Sequence, residues 1–268
     1  MVGPIEIVRD GAVARVWLAR PEQHNALAAE LVADLVRALH ELAHDDAVRV
    51  IVLGGRGPSF CAGADIGLMK AAAAATFEQN LAEAERLSRM FATLADLPKP
   101  VIGRLHGNVL GGGVGLACAC DIAVAADDTR LGLTEVRLGI LPAIISPYVI
   151  RRLGDRRARE LMLTGERFDA ATALRVGLVH HVVPASELDA KVEERATALL
   201  AGAPRAQARI KTLLELWADS SWDEYRSAMP RVLAEVRAGE EAKEGLGAFF
   251  EKRKPAWVPG ESKSKSTS

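Results

Sequence analysis

Cysteine is scarce in this 268-residue chain. Cys61, Cys118 and Cys120 make an odd count, with no CxxC spacing and no histidine pattern that would complete a metal site. A disulfide framework is therefore excluded, no metal is expected, and reduced thiols in the cytoplasm are the expected state. An excess of charge of one sign is missing too. Lys and Arg number 34 against 35 Asp and Glu, a formal charge of −1, which argues against a general nucleic-acid binder. No run approaches the ~20 apolar residues of a membrane span. The opening MVGPIEIVRDG turns charged and β-like at once, so no signal peptide is expected.

What the chain does have is apolar material, 49% of its residues, enough for one large domain with or without a small appendage. Two apolar runs in IEIVRDGAVARVWLAR meet at Asp10-Gly11, which predicts a hairpin. After PEQHN, leucines 27, 31, 35, 39 and 42 recur at three or four residues, predicting an amphipathic helix for which Asn25 is a candidate cap. VRVIVLGG, KPVIGRLHG and DIAVAADD are short buried-strand patterns, and helices separate them, around residues 76–95 and in GGGVGLACAC. This is the alternation of an α/β layer. From about Ser186 the pattern is mostly helical, with Ala203-Pro204 as a joint. The sequence thus divides into a core, 1–203, and a helical region, 204–268, whose polar end from about 261 is expected to be disordered.

The stretch LGGGVGLACACD puts three consecutive glycines at a strand-to-helix turn, and a fourth at 115. Dinucleotide binding needs glycines at i, i+2 and i+5, but counting from Gly111 or Gly113 the third place is Leu116 or Cys118. A phosphate loop read from Gly107 reaches Gly112-Gly113 where Gly-Lys, followed by Ser or Thr, is required. The remaining use is an oxyanion hole. Unpaired N–H groups at a helix start carry the positive end of the dipole, and glycine lets a carbonyl approach them. Ala62-Gly63-Ala64-Asp65 repeats the design, with Asp65 placed to cap the helix IGLMK.

SFCAGADI, followed about fifty residues on by HGNVLGGGVGLACACDIAVAAD and LTEVRLGILP, strongly resembles the enoyl-CoA hydratase/isomerase (crotonase) family. The resemblance runs from RPEQHNAL through LTGERFDAATALRVGLVHHVV to FFEKRKPAW, nearly the whole chain. It implies an α/β fold, a crotonase-type spiral of repeated ββα units with a C-terminal helical trimerisation region, and assembly as a trimer or hexamer. It also implies an acyl-CoA substrate and no metal or redox cofactor. The oxyanion donors it implies are the N–H groups of Ala64 and Gly112. Ala26, Ala62, Asp65 and Ile66 fall along the CoA path, Phe250 and Lys252 are offered to its nucleotide end, and Thr134 and Pro142 complete the substrate-binding set.

Hydratases of this family place one glutamate two residues after the GGG run and another before the LGILP-type turn. Here the second is Glu135 and the first position is Gly115. A lone carboxylate fits a double-bond isomerase on chemical grounds, since one base can remove a proton and return it elsewhere. GGGVGL with TEVRLG and LPAIISPYVIRRLG resembles instead the methylglutaconyl-CoA and branched enoyl-CoA hydratases, so hydration leads, isomerisation follows, and a non-catalytic acyl-CoA binder is the third reading. Cys61, Cys118 and Cys120 read as core filler, with Cys118 and Cys120 on one helix. His106, His180 and His181 read as structural, GDRRARE as a solvated helix face, and Ser146 and Tyr148 as candidate lining of the acyl pocket.

Overall fold

The computed structural model describes residues 3–258. The tail expected from about 261 lies outside the described residues. Strands β1 (Ile5–Asp10) and β2 (Val13–Leu18) form the hairpin expected at Asp10-Gly11, with Gly11 at φ 55°. Helix α1 (Ala29–His44) buries Leu31, Leu35, Leu39 and Leu42 on one stripe, each fully buried leucine contributing ~1.5–3 kcal/mol. β3 (Val50–Gly55) is buried at every residue, as a strand covered on both faces must be.

Helices α2 (Ile66–Ala74) and α3 (Phe77–Ala95) come next, and a capping box between Thr76 and Gln79 fixes the start of α3. Then come β4 (Val101–Leu105), β5 (Asn108–Leu110), α4 (Gly112–Ala119), β6 (Ile122–Ala126) and β7 (Arg130–Gly132). α5 (Ser146–Thr164), β8 (Arg167–Asp169), α6 (Ala170–Arg175), β9 (His181–Val183) and α7 (Leu188–Ala201) complete this part. The larger sheet runs β1-β2-β3-β4-β6-β9, parallel from β2 onward, and β5-β7-β8 make a smaller second sheet. Pairing β4 with β6 and β5 with β7 sends successive strands alternately to the two sheets. The end of β5 and the start of α4 are thereby held beside β7.

Two expectations fail locally. Asn25 does not cap α1. The N-cap is Ala28, whose backbone is extended and which has no side-chain bond to the helix. Asn25 sits too early for that role, in the left-handed region at φ 56°, a conformation asparagine enters more readily than most residues. Fully buried, its Oδ1 accepts from Arg20 N (2.9 Å), while Nδ2 donates to Arg56 O (2.9 Å) and Ser59 O (2.8 Å). It ties the loop before α1 to the end of β3. Cys120 does not share a helix with Cys118 either; α4 ends at Ala119, and Cys120 is extended at ψ 147°. Both thiols are nevertheless buried, as is Cys61.

The chain separates into two compact units, residues up to Ala196 and those from Thr197. The division falls within α7, ahead of Ala203-Pro204, which is simply the start of α8 (Pro204–Asp219). The last turn of α7 joins the second unit because Gln207 Nε2 donates to Leu199 O (2.6 Å) and Trp257 Nε1 to Ala201 O (3.2 Å). The second unit also contains α9 (Trp222–Ala238) and α10 (Glu240–Phe250). Within it, Glu241 accepts from the first free amides of α8, Arg205 N (2.9 Å) and Ala206 N (2.7 Å). Among the described residues no helix is long and apolar enough to cross a membrane.

Candidate active site

Two helix starts meet one carboxylate. Before α2 the chain turns at Gly63, φ 96°, whose carbonyl accepts from Leu27 N (2.8 Å). A Cβ at 63 would lie 3.0 Å from Leu110 O, so glycine is needed there for both its backbone and its bareness. Asp65 caps α2 as expected, Oδ1 accepting from Gly67 N (2.8 Å) and Leu68 N (3.4 Å), and Oδ2 pairs with Arg20 at 3.3 Å. Before α4 the chain turns at Gly111, φ 49°, which β7 holds through Gly111 N to Gly132 O (2.8 Å). A Cβ at 111 would stand 2.9 Å from Glu135 Oε1. Gly111 is bare because a carboxylate occupies its flank.

Glu135 opens a short 3-10 turn, Glu135–Leu138, closed by Gly139 at φ 72°. Its Oε2 is buried and, among the described residues, has no hydrogen-bond partner. Burial pushes its carboxyl above the ordinary value of 4.5, opposed only by a bond to its own backbone. The N–H groups of Ala64 and Gly112 likewise have no acceptor among the described residues. These three groups line a single cleft of about 310 Å³.

Of the residues the sequence nominates, the cleft brings together Ala62, Ala64, Gly112, Thr134, Glu135 and Pro142. Ala26 lies beneath the surface at 7% exposure, Asp65 is engaged as a cap, and Ile66 is 70% exposed; none of the three lines the cleft. Phe250 and Lys252 belong to the second unit, Phe250 75% exposed and Lys252 at φ 55°. Ser146 and Tyr148 are corrected: neither lines the cleft. The Ser146 hydroxyl donates to Ala143 O (2.8 Å), and Tyr148 lies against Phe91 with ring centroids 5.7 Å apart. Ile144 and Ile145, their neighbours on the loop before α5, face the cleft instead.

Sequence reasoning missed most of the apolar wall: Leu27, Leu68, Met69, Leu87 and Phe91, and, on either side of the nominated Pro142, Ile140, Leu141, Ala143, Ile144 and Ile145. It also missed Glu83. The spacing of Glu83, Leu87 and Phe91 was the available signal, because residues four apart share one helix face. Beside the cleft, the space at Gly115 is taken. A Cβ there would be 2.3 Å from Ile145 Cγ2 and 2.9 Å from Phe91 Cε1.

The other groups weighed from the sequence are structural. Burial pushes the thiols of Cys61 and Cys118 up to about 12, far from reactivity. His106 hydrogen-bonds Gly57 O (2.8 Å), and His180 Nδ1 accepts from Ala123 N (3.0 Å); burial lowers the pKa of both imidazoles.

Comparison with known proteins gives one answer. The sequence model of the family described as enoyl-CoA hydratase/isomerase matches residues 9–260. A putative enoyl-CoA hydratase of Thermus thermophilus is 35% identical over 248 residues, covering 92% of this chain and 98% of the relative. The short-chain-enoyl-CoA hydratase of Clostridium acetobutylicum is 34% identical over 252 residues, covering 92% and 94%. The crystal structure of an enoyl-CoA hydratase from Shewanella pealeana superposes with TM-score 0.91 at 38% identity, covering 95% of this chain and 96% of that one.

Proposed function

The chain belongs to the enoyl-CoA hydratase/isomerase family and has its crotonase fold, and from that premise we infer that it is an enzyme adding water across the double bond of a 2-enoyl-CoA. The observation that carries the reading is the single cleft in which two unsatisfied N–H groups and one desolvated carboxylate meet. The thioester oxygen accepts from Ala64 N–H and Gly112 N–H, which stabilise the enolate oxygen as charge builds on it. Each such donor is worth ~3–4 kcal/mol in comparable sites. With the carbonyl polarised, C3 becomes electrophilic. Glu135 takes a proton from water as the oxygen adds at C3, then returns a proton to C2 as the enolate collapses. One carboxylate serves both steps if addition is syn, and its raised pKa suits it to give the proton back. The reaction so assigned asks for no metal or redox cofactor, CoA being the carrier of the substrate.

A double-bond isomerase is the second reading, favoured by the filled space at Gly115, which leaves one acid/base group. A binder without chemistry is disfavoured because an unpartnered, half-buried carboxylate costs stability and would serve nothing. Incubation with crotonyl-CoA and, separately, a 3-enoyl-CoA decides. Hydration of crotonyl-CoA is expected; conversion of the 3-enoyl thioester with crotonyl-CoA left unhydrated would overturn the assignment.

The three buried cysteines, none of them in a disulfide, support a reducing compartment, the cytoplasm. The helical unit supports self-association. α8 and α9 bury no side chain, and Ile210, Leu214, Trp217, Trp222 and Leu233 are exposed along them. Such an apolar surface marks a protein interface. Light scattering at micromolar concentration is expected to give a trimer or a dimer of trimers, and a stable monomer would refute this.

A further inference from the structure

The cleft has a polarity that its assigned chemistry does not use. Its wall along α3 is formed by Glu83, Leu87 and Phe91. Phe91 is the inner end, 1% exposed, its ring 3.9 Å from where a Cβ of Gly112 would stand. Glu83 is eight residues away on the same face, about 12 Å of helix at 1.5 Å per residue. An acyl chain leaving the thioester at Gly112 and running along α3 therefore passes Leu87 and then meets a carboxylate. The remaining wall on that side is apolar, with Leu68, Met69 and Ala72 from α2. Glu83 and Glu135 are the only charged side chains among the described residues lining the cleft, and both are acidic.

We propose that Glu83 is a specificity-determining residue that makes the cleft take acyl groups whose far end is uncharged and reject those ending in a carboxylate. The inference rests on the cleft being the acyl-CoA site proposed above. An acyl carboxylate would enter an apolar wall carrying a like charge, with no cation in the lining to receive it. Arg86 does not supply one. Its Nη1 is bonded to Glu83 Oε2 at 3.1 Å, and its side chain is 63% exposed, so its charge is both engaged and screened. A ligand carboxylate would have to displace Glu83 from that pair.

The test is calorimetric affinity for two saturated thioesters with no double bond to hydrate, butyryl-CoA and glutaryl-CoA. Butyryl-CoA is expected to bind roughly tenfold or more tightly than glutaryl-CoA. Glu83→Gln should narrow that ratio by strengthening glutaryl-CoA, leaving butyryl-CoA within about twofold, which is less than half a kcal/mol. Glu83→Lys should reverse the preference. Equal affinities in the wild type, a ratio that neither variant moves, or failure of both thioesters to bind would each overturn the proposal. If the ratio behaves as expected but crotonyl-CoA is not hydrated, the hydratase reading falls while the specificity of the cleft stands.

Discussion

The Glu135→Gln variant is expected to lose ~10²–10⁴-fold in kcat on crotonyl-CoA while its affinity for butyryl-CoA stays close to wild type. The amide keeps the size of the carboxylate and its place beside Gly111, so the cleft's shape survives. It cannot exchange a proton, and a group that serves both proton transfers should give a loss at the upper end of that range. The pH profile supplies a second signature. Desolvation raises the Glu135 pKa above 4.5, and water must be deprotonated by the ionised form. The acid limb of kcat/KM should therefore lie above 4.5 in the wild type and be absent from any residual rate of the variant. Stability should move in the opposite sense. A folded-state pKa raised above the unfolded one favours the fold below the unfolded value, and that contribution is lost as pH rises through the folded value. Wild type should thus lose stability relative to Glu135→Gln as pH rises above 4.5, as monitored by thermal denaturation across pH. Full turnover by the variant would show that another residue carries the proton.

The elements easiest to read from sequence were those set by local chemistry. Asp10-Gly11 makes its hairpin because the turn residues themselves require it, and Asp65 caps α2 because a carboxylate one residue before a helix can reach its free amides. The backbone half of the candidate cleft was legible for the same reason: AGAD and GGG are local designs, and their bareness is visible as composition. The rest depends on distant partners. Asn25 looks like a cap from its neighbours alone, but its three bonds run to Arg20, Arg56 and Ser59, and only pairing of the first strands brings two of these near it. Ser146 and Tyr148 are candidates by their position in a motif, whereas the residues just ahead of α5, Ile144 and Ile145, line the cleft. Glu83 went unread because an acidic residue on a long amphipathic helix is ordinarily solvated. What makes it part of the candidate site is that Leu68, Met69 and Ala72 of α2 line the same cleft, which no periodicity reports.

Gly115→Glu, which would restore the two-glutamate pattern, is expected to destabilise the fold severely and leave crotonyl-CoA hydration unimproved. The reason lies in α4, every residue of which from Gly113 to Ala119 is buried. A Cβ at 115 would come within 2.3 Å of Ile145 Cγ2, 2.8 Å of Ile145 Cβ and 2.9 Å of Phe91 Cε1, distances at which something must move. Neither neighbour is free to do so. Ile145 is 4% exposed and Phe91 1%, and Phe91 is backed by Tyr148. Overpacking of this kind costs ~1–3 kcal/mol before the carboxylate is considered. Its charge would then sit without a partner among apolar side chains, at a further cost of several kcal/mol or a strongly raised pKa. Gly115→Ala isolates the steric part, since alanine otherwise gains up to ~1 kcal/mol of helix propensity over glycine. Any melting temperature below wild type in that variant sets a lower bound on the clash, which must first offset that gain. Pairing Gly115→Glu with Ile145→Gly opens the space that the new side chain needs, and should recover part of the lost stability if Ile145 is the obstacle. A Gly115→Glu protein that melts like wild type and hydrates crotonyl-CoA faster would mean that the space is latent and that the one-carboxylate site has merely lost a glutamate. The packing of Ile145 and Phe91 predicts the reverse: the position has been refilled, and the chemistry rests on Glu135.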